Sequence, residues 1–529
     1  MTLNHERNID MKKIIATFLV LTMMLSMLVI STSADAWDGT SASASLKGEG
    51  TADNPYLVES AEDLKYIQVQ VKEGNKFEGK YFKQTADIDL GNKEWTPIGE
   101  RTAKPFIGLY DGNGYKIVNF YQSFSYRFGG LFAYMTTSAD FTPGLINITL
   151  EGKMDGGTRV GDIYSGALLG WCQQSGSHTN KIVLANCKVD VDINFDSTGK
   201  GNTGSVIIAG VLARTGYVNI FNCVNYGDIS VTGDGSQLQV GGAVAYAVDT
   251  DIINCYNEGN VTVKSLTATD IYCGGTLGTT ATSKIPLLID NCINYGTVIS
   301  EGGKSNYTGG VVGCSAGVNT TIINCVNTAD VTSKSSSATA LPYAGGLLGY
   351  TSRTGVVVYS SYNSGTIVTI DDNSSKDAPG GIVGVMNNTS ETTHIKDCTT
   401  TTKTYKGYMD PNNTATNCVV EADVAVVDAA LKTVSDKIAA ATSATVNGVV
   451  FTFINEPVAP PAPETTEPAP ETTEPAPETT EPAPETTEPA PETTEPGSST
   501  PTGDSALIFA IIAVISVLGV AVVAKRREN

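Results

Sequence analysis

The sequence predicts an all-β fold: a parallel β-helix of three-strand rungs, roughly 35 residues each, with short helical caps, followed by a disordered stalk and one transmembrane helix. Three observations carry that expectation. An Asn-Cys block, Asn222-Cys223-Val224-Asn225-Tyr226-Gly227, returns at Asn254, Asn291 and Asn324 and, with the Cys lost, at Ser360-Ser361-Tyr362-Asn363. A Gly pair followed by apolar residues alternates with it at Gly241-Gly242, Gly274-Gly275, Gly309-Gly310, Gly345-Gly346 and Gly380-Gly381. Runs such as Gly310 to Cys314, Thr321 to Cys325 and Ala329 to Thr332 are too short for helices and rich in Val, Ile and Thr, which suits strands. No helix-length segment separates these strands, so barrels and doubly wound α/β folds are excluded.

Stacked rungs lie about 4.8 Å apart, so equivalent residues pile into ladders. Cys187, Cys223, Cys255, Cys292, Cys325 and Cys398, with Ser361 substituting, are expected to form one inward column of small, weakly polar side chains. The Asn before each Cys and the Asn two after it are expected at bends, where an amide bonds to its own backbone and to the next rung and Asn tolerates a left-handed conformation. The Gly that follows would do the same without a side chain. Because the Cys spacing follows the repeat, packing explains it more simply than disulfides, although neighbouring rungs are close enough to bridge.

In chain order, residues 1–36 read as a secretory signal peptide: Lys12-Lys13, an apolar run from Ile14 to Ile30, and Ala34-Asp35-Ala36 as a small-residue cleavage site before Trp37. Residues 37–150 hold an N-terminal cap and the first rungs. Ser60 is placed to cap a helix through Val71 whose Leu64, Ile67 and Val71 share one face, a helix suited to cover the raw edge of the first rung. Residues 151–420 are the internal repeats. In 421–456, Val424, Val427, Leu431, Val434 and Ile438 mark an amphipathic helix and 449–454 a last strand, expected together to close the far end. Residues 457–503 hold five copies of Ala-Pro-Glu-Thr-Thr-Glu-Pro starting at Ala462, a stalk that Pro and charge repulsion keep extended. In 504–529 an apolar run from Ala506 to Ala524 is long enough to cross a bilayer, and Lys525-Arg526-Arg527 would stay cytoplasmic.

The blocks Tyr81 to Leu90, Trp95-Thr96-Pro97-Ile98-Gly99, Phe106 to Ile117 and Gly130-Leu131-Phe132, followed by the Gly-pair and Asn-Cys repeats, resemble bacterial surface proteins that carry GLUG motifs, including the β-helical modules beside some immunoglobulin A protease domains. The resemblance spans roughly residues 48–400 and implies a right-handed parallel β-helix displayed outside a Gram-positive cell, with adhesion as its role. Pro501-Thr502-Gly503 before the apolar run looks like a sortase sorting signal cut between Thr502 and Gly503. It departs from that pattern, since Pro501 abuts Thr502 with no residue between. Covalent wall attachment through Thr502 and a permanent membrane anchor therefore both stay open.

The chain holds 34 Lys+Arg against 55 Asp+Glu, a net charge of −21, with no basic stripe to meet phosphates, so nucleic acid is not an expected partner. Of its three histidines, His5 lies ahead of Lys12-Lys13 and His178 and His394 stand apart; no H-E-x-x-H zinc motif is present. Arg159, Arg214 and Arg353 do not share a repeat position. Asp87, Asp89, Asp111 and Asn113 could supply oxygens to a cation, but Asp111-Gly112-Asn113-Gly114 is a tight-turn sequence. The expectation is thus no catalytic residues, no metal and no cofactor. Tyr226 and Tyr295 share a repeat position with Tyr362 nearby, which makes them the candidate binding residues, able to stack on sugar rings or to enter a protein groove.

On this reading the chain is a non-catalytic, surface-anchored adhesin whose partner is an extracellular glycan or a host matrix protein. A carbohydrate-active β-helix enzyme, lyase or glycosidase, is the alternative from another class, and an architectural wall component is the third.

Overall fold

A computed structural model of the chain describes residues 36–456 apart from 101–102, 268–269, 282–284, 336–340, 371–377 and 389–393. All of them fall in one unit spanning residues 1–460. The signal peptide up to residue 35, the stalk, the apolar run and Thr502-Gly503 lie outside the described residues. Among the described residues no helix is long and apolar enough to cross a membrane.

One repeat shows how the sequence makes a turn of a parallel β-solenoid. Its strands are β1 (Leu287–Asp290), β2 (Ile293–Asn294), β3 (Val298–Glu301), β4 (Ser305–Gly309) and β5 (Val312–Ser315). Each pairs in parallel with its counterpart one repeat later: Ile289 with Ile322, Asn294 with Asn327, Ser300 with Ser333, Tyr307 with Tyr343 and Cys314 with Tyr350. Strands of the β1 type build a 12-stranded sheet, β2 and β3 types share a 15-stranded sheet, and β4 and β5 types form sheets of 8 and 9 strands. The rung therefore has five short strands on four sheets, not three strands. The strands missed are of the β2 and β4 types. β4 is Ser-Asn-Tyr-Thr-Gly, which has no apolar run to detect because its inward side chains, Asn306 and Thr308, are themselves polar and fully buried.

The Cys column is present, and its chemistry accounts for the Ser. Each thiol turns back across the bend onto the carbonyl two residues earlier: Cys223 to Phe221 O at 3.4 Å, Cys255 to Ile253 O at 3.4 Å and Cys325 to Ile323 O at 3.2 Å. Ser361 makes the same bond to Tyr359 O at 2.8 Å. All ten cysteines are free and nine are buried, with Cys418 half-buried. The residue before each column position is left-handed, with φ of 53° at Asn186 and Asn222, 57° at Asn254 and 53° at Asn324, as expected for Asn at a bend.

The second Asn of the block is not at a left-handed bend. Asn225, Asn257, Asn294, Asn327 and Asn363 are fully buried, and each amide donates to the next, 2.8 Å from Asn225 to Asn257 and 2.9 Å from Asn257 to Asn294. The other amide proton of Asn257 goes to Gly259 O at 2.7 Å. Nor is the following Gly needed for positive φ. A Cβ at Gly259 would meet Gly227 O at 1.9 Å, so close approach selects it, although Ala329 fills that place in one copy.

At the N-terminal end, α1 (Ala61–Glu73) is capped by Ser60, whose hydroxyl accepts from Asp63 N, and ends at left-handed Gly74. Leu64, Ile67 and Val71 are fully buried in the main core with Phe82, Trp95 and Phe106. The C-terminal segment corrects the expected closure of the far end. After Asp423 as N-cap, α2 (Val424–Ala440) lies along the flank of the solenoid, burying Val427, Val434 and Ile438 against Ile293 and Val326. The hairpin β6 (Ser443–Val446) and β7 (Val449–Thr452) turns at Asn447-Gly448, both with positive φ, an Asn-Gly turn. Its Val446 and Phe451 pack on Leu109, Ile146 and Val183 in the earliest turns, and Asn147 and Asn186 bond its backbone at Thr452 and Ile454. The physical reason is that β2-type strands point Ile293, Val326, Tyr256 and Tyr362 outward as an apolar strip, which the helix covers. The segment is a strap running back toward the N-terminal end.

A candidate binding face

The sheets of β4 and β5 type are pressed together by glycine. A Cβ at Gly313 would stand 2.6 Å from Cys273 O, and one at Gly349 would stand 2.6 Å from Thr308 O. Outward side chains of the two sheets therefore touch one another. On the β4 sheet, Tyr272 lies between buried Ile271 and Cys273, so strand alternation turns it outward, and it is in register with Tyr307 and Tyr343. Ring centroids are 5.0 Å apart for Tyr272–Tyr307 and 5.6 Å for Tyr307–Tyr343, both stacked; Tyr350 of the β5 sheet stands 4.7 Å from Tyr307 and 5.2 Å from Tyr343. These four rings are half-buried. Burial raises the phenols of Tyr272 and Tyr307, and burial together with Tyr350 raises that of Tyr343 to about 12, so all three are neutral hydroxyls at physiological pH.

The same two columns continue toward the N-terminal end as Gln239 and Tyr246, then Ile207 and Arg214, then Tyr164 and Trp171, then Phe128 and Tyr134. Phe128 stacks on Tyr164 at 5.6 Å, and Trp171 lies 5.6 Å from Tyr164. Arg214 rests over Trp171 at 4.7 Å and Tyr246 at 4.9 Å. Beyond Phe128 the row meets a cavity of about 430 Å³ lined by Lys72, Tyr126 and Arg127. With strands at about 4.8 Å, the seven strands from Phe128 to Tyr343 give the row a reach of about 29 Å.

The tyrosines singled out by sequence sit elsewhere, beside the strap. Tyr226, Tyr256 and Tyr295 form an edge-to-face series at 6.1 and 6.3 Å, with the Tyr226 and Tyr256 hydroxyls 3.0 Å apart. The Tyr295 hydroxyl reaches Ser435 of α2 at 3.2 Å, and Tyr362 packs against the same helix. A cleft of about 220 Å³ remains between α2 and Tyr256, Ile293 and Tyr295. What sequence reading missed was a second regularity, an aromatic residue two before three of the five Gly pairs, at Tyr272, Tyr307 and Tyr343.

The acidic residues considered for a cation are engaged within the chain. Asp87 accepts from Lys116 N, Asp89 from Gly91 N and Asn119, and Asp111 from Asn113 N and Asn147. Among the described residues no group of three or more His, Cys, Asp or Glu could hold a metal ion. His178 contacts Thr137 O at 3.2 Å and His394 contacts Thr414 at 2.5 Å. Neither has a Cys among these contacts.

Residues 236–262 match the family described as the GLUG motif, and they trace most of one solenoid turn, from the β4-type strand Gln237–Gly241 to the buried Asn257. The chain is 41% identical over 75 residues to a protein of Evansella cellulosilytica provisionally named a Gly-rich membrane protein, covering 14% of this chain and 9% of that one. It is 32% identical over 137 residues to halomucin of Haloquadratum walsbyi, covering 23% of this chain and 1% of that one. Among solved structures, a protein of Bacteroides ovatus provisionally named an immunoglobulin A1 protease matches with 19% identity and a TM-score of 0.36, over 77% of this chain and 94% of that one. The chain thus spans a small part of the curated relatives it matches.

Proposed function

We propose that this chain is a non-catalytic adhesin of a Gram-positive cell surface, and that the face it presents is the aromatic row on the β4 and β5 sheets, taking an extended polysaccharide. The observation that carries the reading is the half-exposed stack of Tyr272, Tyr307, Tyr343 and Tyr350. Rings stacked on one another along a rigid ladder offer a row of edges and hydroxyls to successive sugar rings at little entropic cost, because the sheet holds them already in place. Their hydroxyls, kept neutral, donate to sugar oxygens.

The surface setting is supported by the signal-like start, the Pro/Glu/Thr repeat and the apolar run of the sequence. The names of the two curated relatives, a membrane protein and a halomucin, agree with it. Thr502-Gly503 would be the point of wall attachment if a sortase acts. On this reading Tyr226, Tyr295 and Tyr362 support the strap instead of the ligand.

The test is an array of polysaccharides and matrix proteins probed with the purified chain. Retention by a polysaccharide, weakened about tenfold in Tyr307→Ala, is expected. Retention by matrix proteins alone, or binding indifferent to Tyr307, overturns the reading; release of reducing ends would favour a carbohydrate-active enzyme.

A further inference from the structure

Two guanidiniums lie over the aromatic row, and they differ in one respect. Arg127 stacks over Phe128 and Tyr164 at 5.5 and 5.6 Å and is neutralised by Asp162, 2.5 Å away. Arg214 lies over Tyr164, Trp171 and Tyr246 at 5.5, 4.7 and 4.9 Å, and pairs with no carboxylate among the described residues. Among the described residues its donors make no hydrogen bond either. Ring contacts on three sides fix the plane of a guanidinium without using its N–H groups, so five donors in a rigid fork stay available to an incoming acceptor.

We propose that Arg214, with Trp171 and Tyr246 as its stacking walls, is a carboxylate-recognition subsite. The polysaccharide would then be an acidic one, built of uronic-acid residues. This rests on the aromatic row being the ligand face. A carboxylate accepts two parallel hydrogen bonds from the guanidinium fork, the pairing for which Arg is suited and Lys is not. Trp171 is buried beneath the guanidinium, and an adjoining sugar ring would pack against half-buried Tyr246.

The experiment titrates the full chain with polygalacturonate and with the same polymer after reduction of its carboxyl groups. Wild type should bind the acidic polymer at least about tenfold more tightly, with affinity falling as salt rises. Arg214→Gln should bring the two polymers to equal affinity, and Arg214→Lys should recover only part of the difference. The melting curve of Arg214→Gln shows whether its fold is kept, and the wild-type polymer comparison decides the matter even if it is not. Equal wild-type binding of both polymers, with Tyr307→Ala weakening both, overturns the carboxylate subsite and leaves the aromatic row standing. Binding of polyglutamate in preference to polygalacturonate overturns it too. Binding of neither polymer nor of any other glycan removes the aromatic row with it.

Discussion

The Oδ1 of Asn257 lies 2.2 Å from the point a Cβ on Gly242 would occupy. The same relation joins Gly210 to Asn225 at 2.0 Å and Gly275 to Asn294 at 2.2 Å. The two repeated motifs are therefore one device. The buried amide ladder needs a neighbour without a side chain, and the Gly pair supplies it.

Gly242→Ala should therefore cost about 2–4 kcal/mol, since the new methyl also meets the backbone Gly275 O at 2.0 Å and the Asn257 amide is held by its ladder hydrogen bonds. Asn257→Ala should cost about 1–3 kcal/mol, because it removes one of the two hydrogen bonds of the buried Asn225 amide and takes the Asn257 donor from Gly259 O and Asn294 Oδ1. Urea unfolding of the two variants checks both figures; a neutral Gly242→Ala would contradict the packing.

The Cys column was legible because its residues recur at one offset from a left-handed Asn, and a strict ladder leaves them nowhere else to go. The aromatic row was legible in principle from Tyr272, Tyr307 and Tyr343 two residues before the Gly pairs. Its second half was not. Arg214 and Trp171 reach Tyr164 only because Gly-lined sheets close on each other, a contact between different strands of the turn that no local pattern encodes. The helical period of Val427, Val434 and Ile438 showed that α2 buries a face. It could not show that the receiver is the side of the solenoid, since strands of two residues such as Ile293–Asn294 carry too little pattern to mark an apolar strip.

Thiol reactivity should separate the nine buried cysteines from half-buried Cys418. Burial pushes the thiols of Cys172 and Cys314 up to about 12, so they stay protonated and inert. Iodoacetamide at pH 8 should modify half-buried Cys418 alone in the native protein and all ten cysteines in denaturant. Mass spectrometry of the digested protein reads this directly, and rapid native labelling of Cys255 would contradict a closed column.

The same thiols set a direction for pH. An unfolded thiol ionises near 9.0, whereas folded Cys172, Cys314 and Cys398 hold their protons to about 12. Above pH 9 the unfolded state binds fewer protons than the folded state, so stability falls as pH rises through this window and is fully present below it. The urea midpoint should be flat from pH 7 to about 8.5 and decline from there; a midpoint that rises at pH 10 would contradict the burial.

The strap should come away without the solenoid. Val434→Asp places a charge in the contact between α2 and Val326, which a helix of this size cannot hold against the cost of burying an unpaired carboxylate. Limited proteolysis should then cut within residues 421–456 while the rest of the described region stays intact. Loss of the whole fold at the same protease concentration would show that strap and solenoid are one cooperative unit.

The most direct test of the account compares Tyr307→Ala with Tyr226→Ala on the polysaccharide the wild-type chain retains best. The account predicts about a tenfold loss of affinity for Tyr307→Ala and wild-type affinity for Tyr226→Ala. The reverse outcome, with Tyr226 required and Tyr307 dispensable, would contradict the account and return the ligand to the strip that α2 covers.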